Sequence, residues 1–210
     1  MKFKGRYDLV KSVQRSLGIQ ADGIDGRITW NAISAALREL REEIGLSSVA
    51  EDMVWLAQAE IGVSEVDGTN CGKRVNEYKS ATWLDPEKGW PWCAAFICWL
   101  VREAVKDSSV DFKLPQTAGA WDFENWARDQ DGKGVLLHKP IIYGSDPYVR
   151  AGDIVVFRFS HIGLAIGQID KRSHVATIEG NTNDAGGREG GSVLQKKRSI
   201  KDIRSVIRIL

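Results

Sequence analysis

The chain has 210 residues, 43% of them hydrophobic and 27% charged, a size and balance that fit one large or two small folded domains and exclude a wholly disordered chain. The formal net charge of +1 argues neither for nor against a polyanionic partner, and no nucleic-acid partner is expected on other grounds. The longest apolar run, Ala94 to Val101, falls far short of the roughly 18 residues of a membrane span, and no membrane insertion is expected.

The N-terminus, MKFKGRYDLV, carries positive charge but no apolar stretch of the secretory kind. The expectation is a protein made and held in the cytoplasm, which something else must deliver if its substrate lies outside. Leu9, Val10, Val13 and Leu17 then recur at helical spacing, and Gly18 ends the run. In ADGIDGRIT, Asp22-Gly23 and Asp25-Gly26 are turn dipeptides, with glycine where a positive φ is needed. Thr29 or a neighbour is placed to cap a second helix, whose stripe is Trp30, Ile33, Ala36 and Leu40 and which Gly45 closes. A unit of about 45 residues is marginal as an independent core and needs support from its neighbour.

The segment LVKSVQRSLGIQADGIDGRITWNAI resembles the peptidoglycan-binding domain carried by many cell-wall hydrolases. The resemblance rests on Val13-Gln14, Leu17-Gly18, Asp22-Gly23, Gly26 and Thr29, where the family has a helix, a D-G-x-x-G-x-x-T loop and a second helix. It implies that residues 1–45 form a small all-α wall-binding domain. The third helix of the usual domain is not evident, and a helical hairpin that merely packs on the rest of the chain is the alternative.

Ser47-Ser48 offers an N-cap with Glu51 as capping-box partner, so a helix from about Val49 to Ile61 opens a second domain, residues 46–210, after a very short linker. The three cysteines, Cys71, Cys93 and Cys98, are an odd number and include no CxxC pair, which argues against a disulfide framework and a zinc ribbon. Cys93 and Cys98 are separated by a rise of roughly 7.5 Å on one helix, poor geometry for a disulfide. In GWPWCAAFICWLVREAV, Gly89 and Pro91 mark a helix start and nearly every residue from Ala94 to Val101 is apolar. Cys93 is therefore expected at the exposed N-terminal end of a buried helix, where unpaired N–H groups and the helix dipole favour an anion. Cys98 reads as a small core hydrophobe, and Cys71, in a glycine-rich turn, as structural or incidental.

A nucleophilic cysteine needs a base, and the chain has three histidines. His138 sits beside a loop and His174 at a turn. His161 lies in GDIVVFRFSHIGLAIG, read as a strand from Ile154 to Phe159 and a second from about His161 to Gln168, with a third from His174 to Glu179. A hairpin centred between Lys171 and Arg172 brings His161 opposite the region of Asn181 and Thr182, and a shift of a few residues in register covers Glu179 as well. Glu179 and Asn181 point to one face if the strand continues through Gly180, and either would fix the imidazole tautomer.

GWPWCAAFICW, GDIVVF…SHIGLAIG and ATIEGNTN together resemble the CHAP group of papain-like cell-wall hydrolases, over roughly residues 46 to 210. The resemblance implies an α+β, papain-like catalytic domain, a nucleophile helix packed on an antiparallel sheet, with catalytic residues Cys93, His161, Glu179 and Asn181. It further implies a bacteriolytic peptidoglycan hydrolase of the phage endolysin kind, working as a monomer without cofactor or required metal, although some relatives bind calcium. Both amidases and endopeptidases of the group cut amide bonds with the same residues. A secreted antibacterial effector of the same chemistry and a non-catalytic wall-binding protein are the alternatives. Many members carry Gln before the cysteine where this chain has Trp92, so Tyr78 is the candidate replacement donor for the oxyanion, and Trp90 and Trp92 are candidate substrate-binding residues.

Between Asp107 and Tyr148, Trp121, Trp126 and Tyr148 could line a groove, but Ala120, Trp121, Phe123 and Trp126 have the spacing of a packed helix. Lys196, Lys197 and Arg198 read as a solvated turn, and Asp202 to Leu210 as a last strand.

Overall fold

Two helices, α1 (Lys2–Ser16) and α2 (Arg27–Ile44), flank the first glycine turns in the computed structural model, which describes residues 2–44, 49–106, 108–138, 149–185 and 190–210. Gln14 is the knot of that turn. Its Nε2 lies 2.7 Å from Asp22 Oδ1, 2.7 Å from Thr29 Oγ1 and 3.0 Å from the Ile24 carbonyl, while its Oε1 accepts from the Gly23 N–H at 2.8 Å. Gly23 has φ 79°, and a Cβ there would collide with the Tyr7 ring, so glycine is required twice over. Thr29 does not cap α2. It sits buried inside the first turn, spending its hydroxyl on Gln14 and on the Ile24 carbonyl. Ser47, Ser48 and Gly45, read as cap and stop residues, lie outside the described residues.

Helix α3 (Val49–Glu60) packs against α2, with the Trp30 and Trp55 rings 5.3 Å apart. It also packs against α5 (Cys93–Ala104), so one helix serves both neighbours. Between them lies α4 (Lys73–Lys79), unseen in the sequence pattern because only Val75 and Tyr78 mark its inner face. Tyr78 donates to the buried carboxylate of Glu60 at 2.5 Å, and Arg74 clasps the same carboxylate at 2.8 and 2.7 Å.

The remaining chain forms α6 (Phe123–Asp129) and six strands: β1 (Val135–His138), β2 (Ile154–Phe157), β3 (Ile162–Ala165), β4 (His174–Thr182), β5 (Ser192–Ser199) and β6 (Ile203–Ile209). All ladders are antiparallel, in the order β1-β6-β2-β3-β4-β5, which makes the protein α+β. Side chains alternate across β2: Ile154 and Val156 join the cluster around α5, and Val155 and Phe157 join a smaller cluster with Val175 and Val206 on the other face. Helix α5 is buried from Cys93 to Val101, and each fully enclosed large side chain, such as Phe96, Ile97 and Leu100, contributes roughly 1.5–3 kcal/mol by leaving water.

The basic run at 196–198 is a correction to the sequence reading. It is part of β5, paired along β4 from His174↔Ser199 to Thr182↔Ser192, and not a solvated turn. Trp126 packs on Phe112 and Phe123, whereas Trp121 stays 42% exposed. The indole N–H groups of Trp121 and Trp126 donate to the carbonyls of Phe157 and Lys113, at 2.9 and 2.7 Å. Tyr148 lies outside the described residues. No described helix is long and apolar enough to cross a membrane.

Candidate active site

Cys93 is the first residue of α5. Trp92, the preceding cap residue, gives no side-chain hydrogen bond to the helix start. Cys93 is not at an exposed end as expected: it is 8% accessible, because the helix sinks into the core from its first residue. Cys98 is wholly enclosed, its thiol on the Thr117 carbonyl at 3.4 Å, and burial pushes that thiol up, away from ionisation. Cys71 Sγ lies 3.5 Å from Lys79 Nζ and 3.5 Å from the Glu87 carbonyl.

The β2–β3 connection positions the histidine. Ser160 adopts a left-handed φ of 58°, and the Phe157 N–H donates to the His161 carbonyl at 2.8 Å, closing a tight turn that sets His161 at the head of β3. Strands β3 and β4 pair at Leu164↔Ile178 and Ala165↔Thr177. Continuing that register puts Gly163 opposite Glu179 and His161 opposite Asn181, within one residue of the alignment read from the hairpin centre.

Glu179 reaches diagonally over Gly163. A Cβ on Gly163 would stand 2.6 Å from Glu179 Cγ, so the glycine makes the path. His161 Nε2 and Glu179 Oε2 are 3.0 Å apart, both side chains fully buried. Nε2 on the carboxylate leaves Nδ1 for Cys93, with which His161 also interacts. Neither ring nitrogen meets the geometry of a full hydrogen bond among the described residues. Burial alone would depress the imidazole. The close approach of Cys93 and then of Glu179 favours the charged ring, outweighs burial and raises His161 to about 9. Burial would likewise raise Glu179, but Arg198 first and His161 second bring it down to about 2.

Asn181 occupies a different position from Glu179. It is left-handed, φ 56°, in the irregular stretch where β4 slips against β5, and both atoms of its buried amide lack a hydrogen-bond partner among the described residues. Of the two, Glu179 is the one whose polar atom stands 3.0 Å from the imidazole. Gly180 between them lies flush on α5: a Cβ there would be 2.8 Å from both Trp92 and Phe96. That contact locks the strand bearing Glu179 to the helix bearing Cys93.

The candidate oxyanion and substrate residues need correction. Tyr78 is fully buried with its hydroxyl committed to Glu60, and that bond together with burial drives it far from ionisation, so it is not free to meet an oxyanion. Trp92 is likewise buried, stacked on Tyr78 at 5.6 Å, and its indole donates to Glu65 at 3.1 Å, so it is core and not a binding surface. Trp90 is 45% exposed, three residues before Cys93, and keeps its place as a candidate contact. His138 ends β1 and His174 begins β4 with Nδ1 3.9 Å from Asp170; neither has the Glu179 contact of His161. A groove of about 440 Å³ lined by Asn31, Leu56, Arg74, Trp99 and Arg102 includes none of the four site residues.

Arg198, which reads in sequence as part of a solvated turn, belongs to this site. Its Nε donates to Glu179 Oε1 at 2.8 Å and its Nη2 to Oε2, while Thr177 Oγ1 also donates to Oε1 at 2.6 Å. The available signal was positional: on β5 it stands opposite Val175, on the strand neighbouring Glu179. No group of three or more His, Cys, Asp or Glu side chains is gathered for a metal ion among the described residues. Comparison with family models, with curated proteins and with solved structures finds no match.

Proposed function

We propose that this chain is a papain-like cysteine hydrolase that cuts an amide bond in the peptide part of bacterial peptidoglycan, with residues 1–45 holding the wall and residues 46–210 cutting it. The observation that carries the reading is His161 set between Cys93, at the start of α5, and the buried carboxylate of Glu179. A thiol, an imidazole and a carboxylate in series, enclosed from water, are the parts of covalent acyl transfer.

In this mechanism Glu179 holds the Nε2–H of His161, and Nδ1 takes the thiol proton of Cys93. The sulfur attacks the amide carbonyl, and the oxygen that becomes negative lies toward the leading N–H groups of α5. His161 returns the proton to the departing nitrogen as the C–N bond breaks, leaving a thioester. Water then gives a proton to His161 and its oxygen to the acyl carbon, the C–S bond breaks, and the Cys93 thiol is restored.

The wall as substrate is supported by the N-terminal motif. Gln14, Asp22, Gly23 and Thr29, which carry its resemblance, form one hydrogen-bonded unit. A cytoplasmic lysis protein of phage type, released to the wall through a membrane lesion and acting as a monomer, fits this reading. The test uses purified sacculi. Cys93→Ala is expected to bind them as wild type does and to release no peptide; lysis by that variant would sink the proposal. Mass spectrometry of the wild-type products then identifies the bond cut.

A further inference from the structure

Arg198 takes no part in the proton transfers above, yet it holds both oxygens of the carboxylate on which the base leans. We propose that Arg198 is a positioning residue of this site, its guanidinium fork fixing Glu179 as an ionised acceptor turned toward His161. The inference rests on the reading of Cys93 and His161 as nucleophile and base.

The geometry is that of a clamp. Arg198 donates from Nε to Oε1 and from Nη2 to Oε2, the paired contact that a guanidinium makes and an ammonium does not. Its side chain is 11% exposed. The guanidinium carbon lies 5.4 Å from the Phe157 ring centre and 5.1 Å from that of Phe159. The same two rings stack on His161, at 6.1 and 5.9 Å. Cation and imidazole thus share one aromatic shelf, with the carboxylate bridging them.

The groups facing this carboxylate come from three directions: Thr177 on its own strand, Arg198 from β5, and His161 from the head of β3, itself facing Cys93 of α5. Gly163 supplies only a hydrogen, and Lys196, opposite Thr177, is turned to the carbonyls of Asn183 and Asp184. Without Arg198 a carboxylate buried this deeply would be left to one imidazole and the neutral hydroxyl of Thr177. Desolvation would favour its neutral acid. A protonated Glu179 could donate to Nε2 instead of accepting from it, and the tautomer needed for proton uptake at Nδ1 would no longer be fixed.

The experiment compares Arg198→Met, Arg198→Lys, Glu179→Gln and the Glu179→Gln/Arg198→Met double variant. Two readouts are followed against pH: kcat and KM on sacculi, and alkylation of Cys93 by iodoacetamide, measured on the Cys93 peptide. In Arg198→Met the acid limb of both profiles is expected to move up by about one pH unit or more, and kcat to fall on the order of 10²-fold with KM little changed. Arg198→Lys, keeping the charge but not the fork, should restore the limb and only part of kcat. The double variant should be no slower than Glu179→Gln alone, because Arg198 acts through that carboxylate.

Profiles of Arg198→Met that superpose on the wild type, or additive losses in the double variant, would overturn the inference. If Arg198→Met does not fold, Arg198→Lys decides: a lowered kcat with the acid limb retained supports the clamp, and wild-type kcat refutes it. Alkylation needs no sacculi. A wild-type protein that fails to cut the wall, while its Cys93 reactivity still follows Arg198, fells the substrate proposal and leaves the clamp standing.

Discussion

Gly163 of β3 and Glu179 of β4 face each other across the sheet, and the carboxylate reaches His161 only because the glycine has no side chain: a Cβ would stand 2.6 Å from Glu179 Cγ. Gly163→Ala is therefore expected to displace Glu179 from the imidazole. Overpacking of this kind costs about 1–3 kcal/mol of stability, and a shift of about 1 Å in a positioning group lowers kcat on the order of 10²-fold. Urea unfolding and sacculus hydrolysis on the same preparation check both. Wild-type turnover in a destabilised Gly163→Ala protein would show that the Glu179 contact is dispensable.

The shifted groups predict how stability depends on pH. His161 is raised from 6.5 to about 9 on folding, so its contribution is fully present below 6.5 and is lost as pH rises through about 9. Glu179 is lowered from 4.5 to about 2, so its contribution is present above 4.5 and is lost as pH falls through about 2. Both act together between 4.5 and 6.5. Urea midpoints across the pH range should be highest in that window and decline on both sides. Glu179→Gln should flatten the acid decline; an unchanged acid slope in that variant would remove Glu179 from the account.

Asn181 allows backbone and side-chain effects to be separated. Its φ of 56° costs an ordinary residue about 1–2 kcal/mol, while glycine adopts it freely. Asn181→Gly is accordingly expected to stay within about 1 kcal/mol of the wild type, and Asn181→Ala to lose more. Because the amide has no hydrogen-bond partner among the described residues, a fall in kcat shared by both variants would assign the amide to the reacting substrate. Turnover that simply follows stability would make Asn181 a conformational residue alone.

How much of this site could be read in the sequence depends on where the signal was local. The His161–Glu179 pairing was legible because one turn, Asp170 to Ser173, fixes the register of two apolar strands, and strand parity then fixes the face. Cys93 was legible through the apolar run behind it. Its 8% accessibility was not, because enclosure comes from β4 and from residues distant in the chain. Tyr78 and Trp92 were misjudged for the same reason: their partners, Glu60 and Glu65, are 18 and 27 positions away. Arg198 was hidden among three basic residues on a strand whose Lys197 faces solvent, so the period-2 alternation that marks β5 is masked by charge. The α+β class followed from the resemblance, which implied a helix packed on an antiparallel sheet, and the sheet is antiparallel throughout.

Gln14 offers a last test, directed at the proposed wall-binding unit. It is 1% exposed and satisfies the Gly23 N–H while reaching Asp22, Ile24 and Thr29. Gln14→Ala removes these bonds and leaves the Gly23 N–H without its acceptor, a loss of about 1–3 kcal/mol for an unmade bond. The effect should stay local, since Gln14 contributes no hydrogen bond to the residues around Cys93. Binding of Gln14→Ala to sacculi is expected to fall several-fold, and hydrolysis of a soluble muropeptide to match the wild type. Pelleting with sacculi measures the first and chromatography of the soluble product the second. Equal loss of both activities would mean that the helical pair supports the catalytic region, through α2 and the shared helix α3, and does not act as a separate anchor.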